Sequence, residues 1–440
     1  MKPNKKIPQK LAGFRDFFAG DIQIREYVIN TFKKTFEKYG YEPLQTPALE
    51  PVEIFADEAG EEAEKQFYRF TDQGGREVML KYEVMISMCR AVAENINQIP
   101  LPYKRYQIQN VWRAERPQKG RYREFTQCDA DTIGSTSVLC DAEFIQMGIE
   151  AIESLGFTKF QASISNRKFL NGIIKLAGAK EDDFIPICLA IDKLPKIGPG
   201  AVKKELLEKR NISRQVADKI LRIVTETGST KELILKYQEA LKNIPIGIEG
   251  VKELAEIFTY LETVGIKPNR YRFCPFIARG LAYYTGPIWE FEVLDGNVGS
   301  IAGCGRYDEV ISNFIGRSMP ATGGSFGIER IVEIIKDAQM AQFPPTKTQV
   351  LATFFDQSTF TETLKQVLRL RQAGIKTLLY PEPLKLDKQL KYADRKGIPL
   401  ALIIGPDEVK EKTATLKNLV KKTQVTIPQA RLVSETKKTI

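Results

Sequence analysis

Charged and aromatic side chains alternate in one stretch of the sequence, from Arg105 to Asp131, and these are the residue types that bind charged ligands. Two alternating runs typical of β-strands are joined there by a loop from Ala114 to Arg123. The loop and the residue before it carry five cations: Arg113, Arg116, Lys119, Arg121 and Arg123. Strand side chains alternate between faces, so one face of the second run, which begins at Glu124, carries Phe125, Gln127, Asp129 and Asp131.

This combination suits two kinds of ligand. The arginine-rich loop can bind a polyanion. On the strand, an aromatic ring, an amide and two carboxylates can bind a polar, cationic small molecule. The alternative is a solvated hairpin on an ordinary sheet, since runs of charge usually mark solvated faces.

Other candidate site residues lie outside this stretch. Glu83 stands where a predicted strand gives way to an apolar helix, Val84 to Asn95, and there it is either a helix cap or a ligand group. Three glycine-containing segments follow later: Arg279 to Val293, Gly299 to Val310 and Gly323 to Ile331. Glycine lets the backbone approach a ligand closely, and Arg330 in the first turn of a helix suits phosphate. None of these segments matches a Walker loop or a G-x-G-x-x-G fingerprint.

The chain of 440 residues contains no histidine, and this excludes several kinds of catalytic site. A Ser-His-Asp or Cys-His arrangement and a histidine metal site are impossible within one chain. The six cysteines are scattered without a C-x-x-C pair, which indicates reduced thiols rather than a disulfide framework or a zinc site. Catalysis is therefore expected to depend on the positioning of reactants and on electrostatics.

Positive charge is concentrated at the C-terminal end. The net charge is +10, and residues 341–440 hold 18 Lys/Arg against 9 Asp/Glu, which is +9. A nearly neutral body with a basic C-terminal segment indicates that this segment meets a polyanion, RNA being the first candidate. A generally basic, soluble domain is the alternative.

The sequence predicts two elements near the N-terminus, before the charged hairpin. An amphipathic helix, Ile22 to Tyr39, can be capped by Asp21. A proline-broken strand, Tyr41 to Leu49, follows it. Together they form either a dimer surface or ordinary core packing.

Later segments indicate further domains. Residues from Arg167 to Leu261 are rich in Lys, Glu, Leu and Ile at helical spacing, which predicts a helical insertion. Beyond Pro344 and Pro345, strands alternate with helices, which is typical of a compact α/β domain. No apolar run reaches the ~18 residues of a membrane span and no signal peptide is evident, so we expect a cytoplasmic protein without membrane segments.

Taken together, the motifs resemble the class II aminoacyl-tRNA synthetases, and among them the histidyl-tRNA synthetase family. GFRDF with the first helix and its proline strand resembles the first class II motif, the hairpin from Arg105 to Asp131 the second, and GGSFGIERI the third. RGLAYYTG and AGCGRYD resemble two segments peculiar to the histidine enzymes. The segment KQLKYADRKGIPLALIIGPDE resembles the family's anticodon-binding domain.

The resemblance implies an α+β catalytic domain with a six-stranded antiparallel sheet, a helical insertion and a C-terminal α/β anticodon-binding domain. The predicted boundaries are 1–166 and 262–340 for the two parts of the catalytic domain, 167–261 for the insertion and 346–440 for the anticodon-binding domain. It also implies a homodimer that uses ATP, histidine and tRNA, with Mg²⁺ whose ligands the sequence does not identify. The reaction would form a histidyl-adenylate and then transfer histidine to tRNA.

Residue roles follow from the same resemblance. The catalytic arginines at the α-phosphate would be Arg113 and Arg279. The residues that bind ATP would be Arg113, Glu115, Arg121, Phe125 and Arg330. The amino acid would be bound by Glu83, Gln127, Asp131, Tyr283, Tyr284 and Tyr307. The acceptor end of tRNA would meet Gln118 and Arg123.

Three positions depart from the family pattern. Met85 stands where a threonine would meet the substrate ammonium, Ala282 replaces the aspartate of RGLDYY, and Cys304 replaces a glycine of AGGGRYD. All three lie in segments that would line the amino-acid pocket, so weaker or altered amino-acid binding is an alternative. A non-catalytic regulatory paralogue on the same fold is another; the C-terminal domain and the phosphate-binding arginines favour the enzyme.

Overall fold

The structure, a computed structural model, describes residues 8–55, 64–118, 120–278, 283–295 and 299–440. The chain divides into two compact units. The first comprises Met1–Arg15 and Arg25–Met340, and the second comprises Asp16–Ile24 and Ala341–Ile440. No helix among the described ranges is long and apolar enough to cross a membrane.

The first unit is built on a large sheet with a small sheet beside it. Its strands are β1 (Glu42–Pro43), β2 (Leu49–Pro51), β3 (Arg69–Thr71), β4 (Glu77–Leu80), β5 (Tyr103–Trp112), β6 (Glu124–Ile133), β7 (Phe160–Asn166), β8 (Tyr271–Phe273), β9 (Pro287–Val293), β10 (Ser300–Arg306) and β11 (Ala321–Gly327). The large sheet has the order β1-β5-β6-β11-β10-β9-β7-β8, and the small sheet has the order β2-β4-β3.

The predicted six-stranded antiparallel sheet is confirmed as the centre of a larger, mixed one. Strands β5, β6, β11, β10, β9 and β7 pair antiparallel with their neighbours. At the two edges, β1 pairs parallel to β5 and β8 parallel to β7. Only two and three residues long, these edge strands carry too few side chains for alternation to reveal them in the sequence.

The helices of the first unit follow in chain order, and the first of them belongs to this unit only from Arg25 onward. They are α1 (Ala19–Lys38), α2 (Val84–Asn95), α3 (Leu139–Ser154), α4 (Arg167–Ala177), α5 (Phe184–Ile191), α6 (Leu194–Glu208), α7 (Arg214–Val224), α8 (Thr230–Ala240), α9 (Pro245–Thr263), α10 (Val310–Ile315) and α11 (Ile328–Asp337). Helix α2 has the bounds predicted from the sequence, and α4 to α9 form the helical segment predicted between Arg167 and Leu261. The prediction that Asp21 caps the first helix is wrong, because α1 begins at Ala19 and Asp21 lies in its first turn.

An aromatic core joins two of these helices to the sheet. Phe326 of β11 is fully buried and contacts the rings of Phe32 and Phe36 from α1, with centroids 4.6 and 6.1 Å away. Phe144 of α3 stacks on the same ring at 6.1 Å, and Phe291 of β9 lies 5.6 Å away. Each such ring removes a large apolar area from water, and this burial stabilises the packing of α1 and α3 against the large sheet.

The second unit confirms the predicted α/β pattern. Its strands are β12 (Val350–Ala352), β13 (Thr377–Leu379), β14 (Leu400–Ile403), β15 (Thr413–Asn418) and β16 (Thr423–Pro428), in the order β13-β12-β14-β15-β16. Its helices are α12 (Gln357–Gln372), α13 (Leu386–Lys396), α14 (Pro406–Glu411) and α15 (Leu432–Thr439). The last two were not predicted. Proline after Gly405 and Glu408 two positions later are the helix-start signals that mark α14.

Candidate active site

A cavity of about 820 Å³ opens over strands β6, β9, β10 and β11. Strands β5 and β6 of the charged hairpin pair antiparallel from Tyr103 opposite Ile133 to Trp112 opposite Glu124. The end at Trp112 and Glu124 lies beside the cavity, because the adjacent residues Arg113 and Phe125 line it. The residues predicted to bind ATP all line this cavity: Arg113, Glu115, Arg121, Phe125 and Arg330. Gln127 lines it as well. Arg113 and Arg330, which are 217 positions apart in the chain, therefore line the same cavity.

Arg113 is held by its surroundings at the root of the loop. Its backbone N–H donates to the Arg123 carbonyl at 2.9 Å, which closes the loop, and its Nε donates to the Tyr82 carbonyl at 3.2 Å. The guanidinium lies 4.4 Å from the ring centre of Tyr82 and 5.2 Å from that of Phe125. Stacking and the Nε bond orient the plane of the guanidinium, so its terminal nitrogens can meet an anion without a large loss of side-chain entropy.

The remainder of the loop folds back on itself. Arg121 forms an ion pair with Glu115 at 3.5 Å, and Arg123 donates from Nε to the Glu115 carbonyl at 3.1 Å. The backbones of Gln118 and Arg121 hydrogen bond in both directions, at 3.0 and 2.9 Å. Gln118 is exposed and Arg123 is partly buried, and neither of these two predicted acceptor-end residues lines the cavity. Lys119 lies outside the described residues.

The start of helix α11 is tied to the hairpin by a buried carboxylate. Glu329 accepts from Arg15 at 2.5 Å and from Arg25 at 2.7 Å, and its other oxygen accepts from the Thr126 backbone N–H at 3.3 Å. Burial alone would raise the pKa of Glu329, but the hydrogen bonds and charges of the two arginines outweigh it and lower that pKa. Arg330, the next residue, donates to the Ser300 carbonyl at 2.5 Å and faces the cavity.

Four residues of the predicted amino-acid pocket form a cluster next to this cavity. Asp131 is an ion-pair partner of the fully buried Arg105, at 2.5 Å, and it accepts a hydrogen bond from the Tyr307 hydroxyl. The rings of Tyr283 and Tyr284 lie 4.6 Å apart, and the ring of Tyr283 lies 6.2 Å from that of Tyr307. Asp131, Tyr284 and Tyr307 are buried and do not line the cavity.

The ammonium end of the predicted pocket is organised by Gln127. Its side-chain oxygen accepts the Val84 backbone N–H at 3.0 Å and so satisfies the first turn of helix α2. Glu83 stands at the N-cap position, but its own side chain makes no capping hydrogen bond. Of the two sequence interpretations of Glu83, the cap is therefore wrong, and the ligand role stays a prediction.

Comparison with protein families gives two matches. Residues 13–331 match the model described as histidyl-tRNA synthetase, and residues 347–439 match an anticodon-binding domain. The chain belongs to the histidyl-tRNA synthetase family.

Relatives and solved structures extend this family match over the whole chain. The histidine–tRNA ligase of Cytophaga hutchinsonii is 38% identical over 437 residues, which cover 94% of this chain and 96% of that protein. The histidine–tRNA ligase of Wolinella succinogenes is 37% identical over 419 residues, 94% of each chain. The crystal structure of the histidyl-tRNA synthetase from Nostoc sp. PCC 7120 superposes with a TM-score of 0.86 at 31% identity and 100% coverage of both chains.

A structure from Bacillus halodurans shares the fold. It is described as an ATP phosphoribosyltransferase regulatory subunit/histidyl-tRNA synthetase, with a TM-score of 0.74, 20% identity and coverage of 87% of this chain and 96% of that one. At this identity the likeness concerns the fold alone.

The structure describes two of the three residues that depart from the family pattern, Met85 and Cys304. Met85 lies buried in the first turn of α2. Cys304 is fully buried on β10 opposite Gly324 of β11, where a Cβ added to Gly324 would overlap the Cys304 thiol. The bulk of the cysteine is therefore accommodated by a glycine on the neighbouring strand. Ala282 lies outside the described residues, as does the predicted catalytic residue Arg279.

Several residues of this family member line the cavity without having been predicted as site residues. They are Asp192 and Lys196 from the helical insertion, Phe276 and Ile277 shortly after β8, and Glu290 and Glu292 on β9. The alternation Glu290-Phe291-Glu292 could have placed the two carboxylates on one face of a strand. No local pattern marks Asp192 or Lys196, because their position at the cavity depends on how the helices of the insertion pack.

Asp129, between Gln127 and Asp131 on β6, is a buried acid with a perturbed pKa. Burial raises this pKa to about 8, and the charge of Asp131 adds to the increase, against the opposing effects of Arg105 and of a hydrogen bond with Ser325. Among the described residues its Oδ1 has no hydrogen-bond partner. The neutral acid is therefore the favoured form of Asp129 in the folded protein at neutral pH.

We predict that Asp129→Asn stabilises the protein at alkaline pH. The pKa of an aspartate in an unfolded chain is about 3.9, so the folded state holds the proton more tightly and loses stability as pH rises from that value through about 8. The asparagine variant does not lose stability in this way. At pH 9 its free energy of unfolding is expected to exceed that of the parent by an amount on the order of a few kcal/mol. Urea unfolding at pH 5 and pH 9 measures the difference. The exposed Asp295→Asn is the control, and parallel pH dependence in all three proteins would contradict the assignment.

Proposed function

We propose that this chain activates histidine with ATP and transfers it to tRNA, using the cavity at the charged hairpin for the first step. Family membership and full-length similarity to histidine–tRNA ligases at 34–38% identity support this activity. The single observation that carries the site assignment is the convergence of the five predicted ATP residues on one cavity.

In the first step the histidine carboxylate attacks the α-phosphorus of ATP. A carboxylate oxygen–phosphorus bond forms, the bond to the β-phosphate oxygen breaks, and pyrophosphate leaves with the bonding electrons. No protein nucleophile is needed, which agrees with a chain that contains no histidine. The protein must align the reactants and neutralise developing negative charge, and arginines in a site of low polarity do this effectively.

The arginines divide this task. Arg113, oriented by Tyr82 and Phe125, would contact the α-phosphate and the amino-acid carboxylate. Arg330, at the beginning of α11, would bind the γ-phosphate. The ring of Phe125 would stack on adenine, with Glu115 and Arg121 as its polar surroundings. Arg279 would contribute a further cation at the α-phosphate.

Mg²⁺ would be bound largely by the nucleotide. Among the described residues no group of three metal-ligating side chains is close enough to hold an ion. Glu290 and Glu292 line the cavity, and Mg²⁺ typically binds substrate phosphates together with one or two carboxylates and waters. The residues present therefore fit a nucleotide-bound Mg²⁺, which would neutralise phosphate charge.

The imidazole of histidine would be recognised by the buried cluster beside the cavity. Its two ring nitrogens are a donor and an acceptor in the neutral form, and Asp131 with Tyr284 can supply complementary partners. Tyr283 and Tyr307 would line the same pocket, while Glu83 and Gln127 would receive the ammonium group. In the second step a ribose hydroxyl of tRNA attacks the acyl carbon and AMP leaves, with Gln118 and Arg123 approaching the acceptor end.

The basic second unit and the first helix complete the proposal. The unit from residue 341 matches an anticodon-binding domain and would bind the tRNA anticodon through its positive charge. We further propose a cytoplasmic homodimer that pairs through the region of α1 and the strands after it. Sedimentation of the 49.8 kDa chain tests the dimer: a single species at the mass of one chain would contradict it.

Amino-acid-dependent ATP–pyrophosphate exchange tests the activity. We expect exchange with histidine and not with the other nineteen amino acids, followed by charging of tRNA. Exchange with a different amino acid would show that Met85, Ala282 and Cys304 have changed the specificity. Absence of exchange with every amino acid would favour the regulatory paralogue, which the retained anticodon-binding domain and Arg113 and Arg330 in one cavity disfavour.

A further inference from the structure

Arg167 is a buried cation at the junction of strand β7 and helix α4, outside the site described above. Only 4% of its surface is exposed. Its backbone N–H donates to the Gly286 carbonyl at 2.9 Å, and its Nη1 donates to the Ala278 carbonyl at 3.0 Å. Ala278 precedes and Gly286 directly follows residues 283–285, the tyrosine segment with Tyr283 and Tyr284, so Arg167 is bonded to the chain on both sides of it.

The same guanidinium contacts the helical insertion. It lies 4.6 Å from the ring centre of Phe184, the first residue of α5. Cys188 follows one turn later on α5, where burial raises the pKa of the thiol and the charge of Arg167 opposes that rise. Helix α5 leads directly to Asp192 and Lys196, which line the cavity. Arg167 therefore connects the insertion to the tyrosine segment through one side chain.

The opposite side of the tyrosine segment is held by β10. The Thr285 N–H donates to the Arg306 carbonyl at 2.9 Å, and the Tyr284 ring packs on Gly305, where an added Cβ would lie 2.7 Å from ring carbons. The bond to Gly286 comes from the Arg167 backbone and the bond to Ala278 from its side chain, so a substitution at this position changes the hydrogen bond at Ala278.

A buried guanidinium is costly to desolvate, and an apolar side chain could fill the same space without that cost. Its planar fork, however, can hydrogen bond a carbonyl and stack on a ring at once, and a lysine lacks the planar group that does both. We propose that Arg167 is a positioning residue for histidine activation, and that through Phe184 it couples the insertion to the amino-acid pocket. This inference rests on the proposed function, since it takes Tyr283 and Tyr284 as part of that pocket.

Arg167→Lys is expected to raise the KM for histidine about tenfold and to lower kcat in ATP–pyrophosphate exchange, because small displacements of positioning groups reduce rates strongly. The KM for ATP should change less than about twofold, since the ATP residues lie on other elements. Phe184→Leu, which keeps an apolar side chain but removes the ring under the guanidinium, is expected to shift the same histidine KM in the same direction.

Arg270→Lys is the matched control. The Arg270 guanidinium also donates to a backbone carbonyl, that of Thr158 at 2.7 Å, and lies 4.4 Å from a ring centre, that of Phe160. It contacts neither Ala278 nor Phe184, so its variant reproduces the general loss of packing without touching the tyrosine segment. An unchanged histidine KM in Arg167→Lys, or an equal rise in both arginine variants, would overturn the inference.

Hydrogen–deuterium exchange separates this inference from the proposed function. In Arg167→Lys we expect amide exchange in residues 283–286 to rise about tenfold, with no such rise in Arg270→Lys. A parent protein that shows no histidine-dependent exchange of pyrophosphate would refute the proposed function, and the amide measurement would then still decide whether Arg167 holds the segment. Parent-like amide exchange in Arg167→Lys would refute the positioning role whatever the activity.

Discussion

Arg113→Ala is expected to reduce histidine-dependent ATP–pyrophosphate exchange by about 10²–10³-fold, because removing one preorganised donor from a developing anion costs about that much. Arg113 is the cation whose plane is fixed by Tyr82 and Phe125 at the edge of the cavity. The chain contains no histidine, so no imidazole can take over its charge. Initial rates at saturating ATP and histidine measure the loss.

A second arginine of the same loop provides the control for this experiment. Arg116 is exposed and does not line the cavity, so Arg116→Ala should keep exchange within about threefold of the parent, as expected for a charge screened by water. Similar losses in the two variants would mean that the loop acts through its net charge. More than a tenth of parent activity in Arg113→Ala would place the α-phosphate cation elsewhere.

Arg105→Leu is expected to lower the free energy of unfolding of the first unit by about 3–5 kcal/mol, since it leaves a buried carboxylate without its partner. Arg105 is fully buried and pairs with Asp131 at 2.5 Å. Both tryptophans, Trp112 and Trp289, lie in the first unit, so their fluorescence during urea unfolding reports on it.

Two further variants make this stability prediction specific. Lys104→Leu removes an adjacent, partly exposed ion pair with Glu143 and should cost about 0–1 kcal/mol. Arg105→Leu with Asp131→Leu removes both buried charges and should recover much of the lost stability. Histidine-dependent exchange should be abolished in this double variant, because the proposed imidazole partner Asp131 is gone. A double variant no more stable than Arg105→Leu would contradict the assigned cause.

The sequence by itself determined the local elements, and the family resemblance selected the residues that we propose bind ATP. Alternation from Tyr106 to Trp112 and again from Glu124 predicted the hairpin of β5 and β6, although β5 begins three residues earlier, at Tyr103. The apolar spacing after Glu83 predicted α2 with its observed bounds. Family motifs then placed Arg113, Phe125 and Arg330 in one site, and the cavity brings them together. The hairpin and α2 could be predicted because each depends on residues that are close in sequence, whereas the joining of Arg113 with Arg330 was predicted only from the family resemblance.

The tertiary structure decided which polar groups face a ligand and which face one another. Alternation put Gln127 and Asp131 on one face, yet Gln127 lines the cavity, whereas Asp131 is buried against Arg105 and Tyr307. Strand register sets this difference: Asp131 lies opposite Gly323, where any Cβ would overlap its carboxylate. Burial then raises the pKa of Asp131, and it increases the energetic cost of losing the contacts with Arg105 and Tyr307.

Long-range contacts of single side chains were likewise beyond the sequence. Glu329 is held by Arg15, which lies 314 positions away, and the Arg167 side chain reaches Ala278, 111 positions away. No spacing rule connects such residues, because their proximity is a property of the packed sheet and helices and not of either segment. Periodicity records which face of an element is buried, and only packing records what that face is buried against.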